Sequence, residues 1–257
     1  MENEVLFAFL LTLLAGLATG VGSLISLFVK TKNKKFLSIS LGFSAGVMLY
    51  VSFIEIFVKA NDSLTIAFGS EVAPWFTTAG FFLGIVIIGF IDKLIPDNID
   101  HTNKSIDNKK LMRMGIFTAL AIGIHNFPEG LATFLSALQD PNLGIAIAVA
   151  IAIHNIPEGI AVSMPIYYAT NSKKKAFRYS FLSGLAEPIG ALIGYMILRE
   201  FMNDVVFGVI FASVAGIMVY ISLNDLLPQS RKYAEQKVVT YGLIAGMLVM
   251  AFSLLIL

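Results

Sequence analysis

Residues 122–137 read IGIHNFPEGLATFLSA, and residues 151–166 read IAIHNIPEGIAVSMPI. Eight of these sixteen positions are identical, and the shared core is His-Asn-x-Pro-Glu-Gly. Each copy sits near the middle of a long apolar run, 113–137 for the first and 143–168 for the second. A membrane-crossing helix needs about 20 apolar residues, whereas an outer-membrane strand needs about ten with strict alternation, so these runs predict helices. One short connection separates them, and the two copies therefore cross the bilayer in opposite directions.

Six further runs of similar length surround this pair, at 5–29, 38–58, 73–95, 177–198, 205–227 and 239–257. They fill a chain of 257 residues that is 57% hydrophobic and only 14% charged, with a mean hydropathy of +0.81. A soluble domain carries about 25% charged residues because it needs a polar skin, and a disordered chain is poor in apolar residues. Both classes are excluded. The expected fold is all-α: a polytopic membrane protein of eight transmembrane helices, with residues 1–257 forming a single transmembrane domain. The first residues, MENEV, are acidic and run into an apolar stretch too long for a cleavable leader. A net charge of +1 offers no footprint for nucleic acid, and the lack of cysteine removes disulfides, thiolate metal sites and cysteine nucleophiles.

Charge sets the expected topology. Lys30, Lys32, Lys34 and Lys35 lie between the first two runs, and Lys93, Lys104, Lys109, Lys110 and Arg113 lie around the connection 93–113. Lys173, Lys174, Lys175 and Arg178 follow in 169–178, and Arg231, Lys232 and Lys237 in 228–238. These alternate connections hold 16 of the 18 basic residues; the other face keeps Lys59 and Arg199. The positive-inside rule then puts the lysine-rich loops in the cytoplasm and both termini outside, in a multi-pass protein of the cell membrane.

A fainter repeat supports the same arrangement. Residues 45–57, AGVMLYVSFIEIF, match residues 215–227, AGIMVYISLNDLL, with Glu55 opposite Asp225. Four runs separate these copies, which lie five spans apart, so they too are antiparallel, and both repeats fit one two-fold axis in the membrane plane. Inverted repeats of this kind place ion sites near the midplane.

The motifs carry the chemistry. His125 and Glu129 are four residues apart and share a helix face, with Asn126 beside them; His154, Asn155 and Glu158 repeat the pattern. Glu187, in SGLAEPIGALIG, adds a third mid-run carboxylate. Three ionised glutamates at mid-bilayer would cost on the order of 7–10 kcal/mol on insertion scales. No lysine or arginine lies at that depth in the sequence. Either the carboxylates are protonated, or a cation from outside the chain meets them. Imidazole, carboxylate and amide oxygen together suit a borderline divalent ion such as Zn²⁺ or Fe²⁺, where Ca²⁺ or Mg²⁺ would take oxygen alone. Pro128, Pro157 and Pro188 free the carbonyls of Ile124, Ile153 and Gly184, which could serve as further ligands in a polar cavity. Met48 is an optional soft ligand. Glu55 and Asp225 either guard two mouths of a path or snorkel to the headgroups. Gly16, Gly20 and Gly22, with Gly130 and Gly159, favour close helix contacts. His101, in an internal loop, is expected to be solvated.

With the duplicated HNFPEG and HNIPEG, GFSAGVMLY and SGLAEPIGA, the chain resembles the ZIP (Zrt/Irt-like) family of divalent metal transporters over essentially its whole length, and within it the bacterial ZupT-type branch. The resemblance implies eight helices in a 3+2+3 arrangement and a binuclear metal centre between spans four, five and six. By position, one site would use His125, Glu129, His154 and Glu158, with Met48 adjacent. The other would use Asn126, Glu129, Asn155, Glu158 and Glu187, with Glu129 and Glu158 bridging. The resemblance also implies a homodimer, and an elevator-like slide of spans one, four, five and six past the other four. Two departures stand out: the loop between spans three and four offers only His101 where many members are His-rich, and His154 and Asn155 stand where Gln and Asp also occur. The expected function is uptake of Zn²⁺, with Fe²⁺, Mn²⁺ or Co²⁺ as further cargo and no catalytic cofactor. The expected partners are the ion and the lipid bilayer. An intramembrane metal-dependent enzyme and a metal-sensing receptor are the rivals; no H-E-x-x-H motif supports the former.

Overall fold

The computed structural model describes residues 2–28, 34–94, 106–198 and 203–256. These form α1 (Glu2–Leu27), α2 (Lys34–Phe68), α3 (Ala73–Leu94) and α4 (Ile106–Gln139). Then come α5 (Pro141–Thr170), α6 (Lys173–Ile197), α7 (Asp204–Arg231) and α8 (Gln236–Ile256). No strand occurs among the described residues. The expected position of His101 lies outside them.

Seven of the eight helices are long and apolar enough to cross a membrane by composition. The exception is α4, which carries Lys109, Lys110 and Arg113 near its start as well as His125, Asn126, Pro128 and Glu129 at its centre. At 34 residues it is nonetheless about 50 Å long, and it packs antiparallel to α5. The outer surface is apolar, as lipid requires: Trp75, Phe82, Phe90 and Phe252 all face outward.

Connections are shorter than the apolar runs suggest. Asp140 alone joins α4 to α5, and Asn171 and Ser172 join α5 to α6. Asn171 adopts φ 58°, a left-handed conformation that asparagine tolerates at a helix end. The hydroxyl of Ser172 then caps α6 by accepting from the Lys175 N–H. Pro128 and Pro157 lie inside unbroken helices, while α6 is interrupted at Leu185, just before Glu187 and Pro188.

Hydrophobic burial gives little drive between helices in lipid, so close backbone packing and interhelical hydrogen bonds must hold them together. Glycines make this possible. A Cβ on Gly22 of α1 would collide with the Ile156 carbonyl of α5, and one on Gly159 with the Thr19 carbonyl of α1. The pairs Gly130–Gly190 (α4 and α6), Gly46–Gly246 (α2 and α8) and Gly84–Gly216 (α3 and α7) repeat the arrangement, each glycine lying against the partner helix's backbone. Helices α1, α4, α5 and α6 thus form one group, and α2, α3, α7 and α8 another. The groups meet chiefly where α2 crosses α5 and where α4 crosses α7.

Each of these relationships has its counterpart under one exchange: α1 with α6, α2 with α7, α3 with α8 and α4 with α5. This is the 3+2+3 inverted repeat. The fainter sequence pair carries it to the backbone. Ser52–Ile56 in α2 and Ser222–Leu226 in α7 are both single π-helical turns, with Glu55 and Asp225 in the same place in each. Such turns insert one residue and are found often at functional positions.

Candidate metal centre

The antiparallel pair α4 and α5 brings the two motifs face to face. His125, Asn126, Glu129, His154, Asn155, Glu158 and Glu187 are all buried, and Glu129, the most accessible, is only 7% exposed. Glu129 reaches both imidazoles: its Oε2 lies 3.2 Å from Nε2 of His125 and its Oε1 lies 3.1 Å from Nε2 of His154. Glu158 approaches from α5, with Oε1 3.5 Å from Nε2 of His125. Donor atoms from His125, Glu129 and His154 all lie within 4.8 Å of one another. Two ligands about 2.1 Å from a tetrahedral zinc ion stand about 3.4 Å apart, so this spacing fits one ion shared between them.

The amides are arranged differently. Asn155 donates from Nδ2 to Glu187 of α6 and to the Ala15 carbonyl of α1, the latter at 2.9 Å. Asn126 donates from Nδ2 to the Ser183 carbonyl at 3.3 Å. Both Oδ1 atoms stay without a hydrogen-bond partner, as do both oxygens of Glu158 and Oε2 of Glu187. Buried acceptors are normally satisfied, and leaving one bare is costly. A cation is the partner that a set of bare oxygens and imidazole nitrogens fits. The hydrogen bonds engage both amide nitrogens and leave both Oδ1 atoms bare.

Other expected residues fall around this cluster. Met48 is fully buried in α2, one turn beyond Ser44, whose hydroxyl donates to the Pro157 carbonyl at 2.8 Å. That places Met48 on the helix face turned toward α5. The freed Gly184 carbonyl lies against Gly16 of α1, so close packing claims it. Glu55 lines a cavity of about 140 Å³ together with Glu129, Thr133, Ser136 and Lys59, so it runs from the edge of the cluster to the part-exposed Lys59. Asp225 lies toward the opposite face, near Asp92. There Arg113 pairs with Asp92 at 2.9 Å, and Tyr220 and Asn224 donate to the same carboxylate. A larger apolar groove of about 620 Å³, lined by Ile116, Leu120, Ile124, Tyr179 and Leu182, opens between α4 and α6 and holds none of the seven residues.

The sequence reading missed Thr133 and Ser136 in the cavity wall, although they follow Glu129 by four and seven residues and so share its helix face. It also missed the hydroxyls that tie α1 to its neighbours. Ser26 and Ser163 hydrogen bond at 2.6 Å, and Ser180 donates to the carbonyls of Thr19 and Gly159.

Comparison with known proteins agrees with this geometry. Residues 96–254 match the family model described as ZIP Zinc transporter. The chain is 60% identical to the zinc transporter ZupT of Lysinibacillus sphaericus and 60% identical to that of Oceanobacillus iheyensis, over the full length of both partners in each case. It is 59% identical to the ZupT of Streptococcus mutans, covering all of this chain and 99% of the relative. This chain belongs to the ZIP zinc transporter family.

Proposed function

We propose that the chain carries Zn²⁺ from outside the cell into the cytoplasm, binding it between α4, α5 and α6 on the way. The observation that carries this reading is the cluster of His125, Glu129, His154 and Glu158. These groups are buried in the middle of the apolar helices and spaced for one divalent ion, and Glu129 among them lines a cavity that also reaches Glu55 and Lys59. The names of the relatives support zinc as cargo. The donor set admits Fe²⁺, Mn²⁺ and Co²⁺ as well.

His125, Glu129, His154 and Glu158, with Met48 near, are the ligands of one site; Asn126, Asn155 and Glu187 join the two glutamates in a second. A single ion among three carboxylates leaves a charge of −1 and two leave +1, either far cheaper at mid-bilayer than −3. The charge asymmetry of the loops supports termini outside and residence in the cell membrane. Under that orientation the cavity past Glu55 faces outward, and Asp92, Asp225 and Arg113 line the inner mouth. Release inward requires the group α1, α4, α5 and α6 to move against α2, α3, α7 and α8, and the seams where α2 crosses α5 and α4 crosses α7 are where that sliding falls. The protein acts as a dimeric carrier rather than an enzyme.

The test is uptake of radioactive Zn²⁺ into proteoliposomes by the chain and by its Glu158→Ala variant. Uptake by the first and none by the second, with both inserted and equally stable, is the expected outcome. Undiminished uptake by Glu158→Ala refutes the site.

A further inference from the structure

Lys59 follows Glu55 by one turn on α2, just past the π turn, and its Nζ lies 2.7 Å from Oε1 of Glu55. Both residues line the cavity that leads to Glu129. Among the described residues lining it, Lys59 is the only basic one. The other carboxylate oxygen, Oε2 of Glu55, is buried without a hydrogen-bond partner. The Lys59 side chain is 45% exposed, so its flexible stem can swing the ammonium out to water.

We propose that Lys59 is a tethered competitor cation at the entrance. Its ammonium holds the Glu55 carboxylate that an incoming ion must take. It thereby sets the concentration range of uptake and favours divalent over monovalent cations. This rests on the transport reading above. At a given distance a divalent ion gains about twice the Coulomb energy of a monovalent one. Sodium or potassium gains no more from Glu55 than the ammonium it would displace, and the ammonium is tethered at high effective concentration. A divalent ion can displace it and pass on to Glu129.

The inverted repeat supplies the contrast. Glu55 corresponds to Asp225, 170 residues later, and by the same offset Lys59 corresponds to Gln229. Gln229 is neutral and donates to the Tyr233 hydroxyl at 3.1 Å. The basic residue one turn past the acid is therefore present on one side of the repeat and absent from the other. A merely structural i,i+4 pair would add slightly to helix stability and would leave ion selectivity untouched.

The experiment measures initial rates of Zn²⁺ uptake into proteoliposomes for the unaltered chain, Lys59→Met and Lys59→Arg, with and without added NaCl. Lys59→Met keeps the length and removes the charge. It should lower KM about threefold to tenfold, leave the maximal rate nearly unchanged, and become more sensitive to inhibition by Na⁺. Lys59→Arg should keep the original KM and salt response. If the unaltered chain transports and Lys59→Met shows the same KM and Na⁺ sensitivity, or only a lower maximal rate, the role of Lys59 is overturned alone. If the unaltered chain moves no divalent cation, the transport reading falls and this proposal falls with it.

Discussion

Glu129 of α4 and His154 of α5 stand 3.1 Å apart across two antiparallel helices, although 25 residues of chain separate them. The other Glu129 oxygen lies against His125 on its own helix, one turn back. One carboxylate thereby joins both halves of the duplicated motif. Glu129→Gln keeps the shape and loses the charge and one acceptor oxygen. Zn²⁺ affinity of the purified protein should fall roughly 100-fold or more, since even groups that only orient a ligand contribute 10–100-fold. Titration calorimetry reads this directly, and an unchanged affinity would remove Glu129 from the site.

Much of this was legible in the sequence because a polar residue inside an apolar run is conspicuous. HNFPEG, HNIPEG and Glu187 announced themselves in that way, and the antiparallel sense followed from counting the runs between copies. The helix ends were less legible. Hydropathy ends the second run near residue 58, but α2 continues to Phe68 through Asn61 and Asp62, because a helix can outlast the hydrocarbon. The charged start of α4 at Ile106 was hidden for the same reason. The π turns at Ser52–Ile56 and Ser222–Leu226 leave no mark in composition. The bond from Asn155 to the Ala15 carbonyl was also out of reach, because a backbone acceptor on another helix has no sequence signature.

Close helix packing makes a second prediction, with its own control. Gly22→Ala would drive a methyl group into the Ile156 carbonyl, whereas at Gly123 a Cβ meets nothing within 4 Å. Alanine favours helix over glycine by about 1 kcal/mol, so both changes would stabilise if space allowed. Overpacking costs typically 1–3 kcal/mol. Gly22→Ala should therefore lower the melting temperature in detergent, and Gly123→Ala should hold or raise it. Equal melting temperatures for the two variants would contradict the α1–α5 contact.

The cavity gives a directional test. The chain has no cysteine, so Ser136→Cys would introduce its only thiol, in the wall shared with Glu55 and Glu129. In intact cells a membrane-impermeant maleimide added outside should label this thiol, and Zn²⁺ should slow the labelling. Labelling only after the cytoplasmic face is exposed would invert the proposed orientation.

Acid supplies the last test. Imidazole binds a metal ion only as the neutral base, and a carboxylate only when ionised, so protons compete with Zn²⁺ for the same lone pairs. The ordinary range of imidazole lies near pH 6.5, and the cluster contains two of them. Zn²⁺ affinity should be steady at and above neutrality and should fall steeply as pH drops below about 6, approaching a hundredfold loss per unit where both rings must shed a proton to bind. His125→Asn and His154→Asn should each flatten this dependence, since one competing proton disappears with each ring. Equilibrium dialysis at pH 7.5 and pH 5.5 measures both effects. A constant affinity across that interval would mean that neither His125 nor His154 holds the ion, leaving the carboxylates and amides to do so alone.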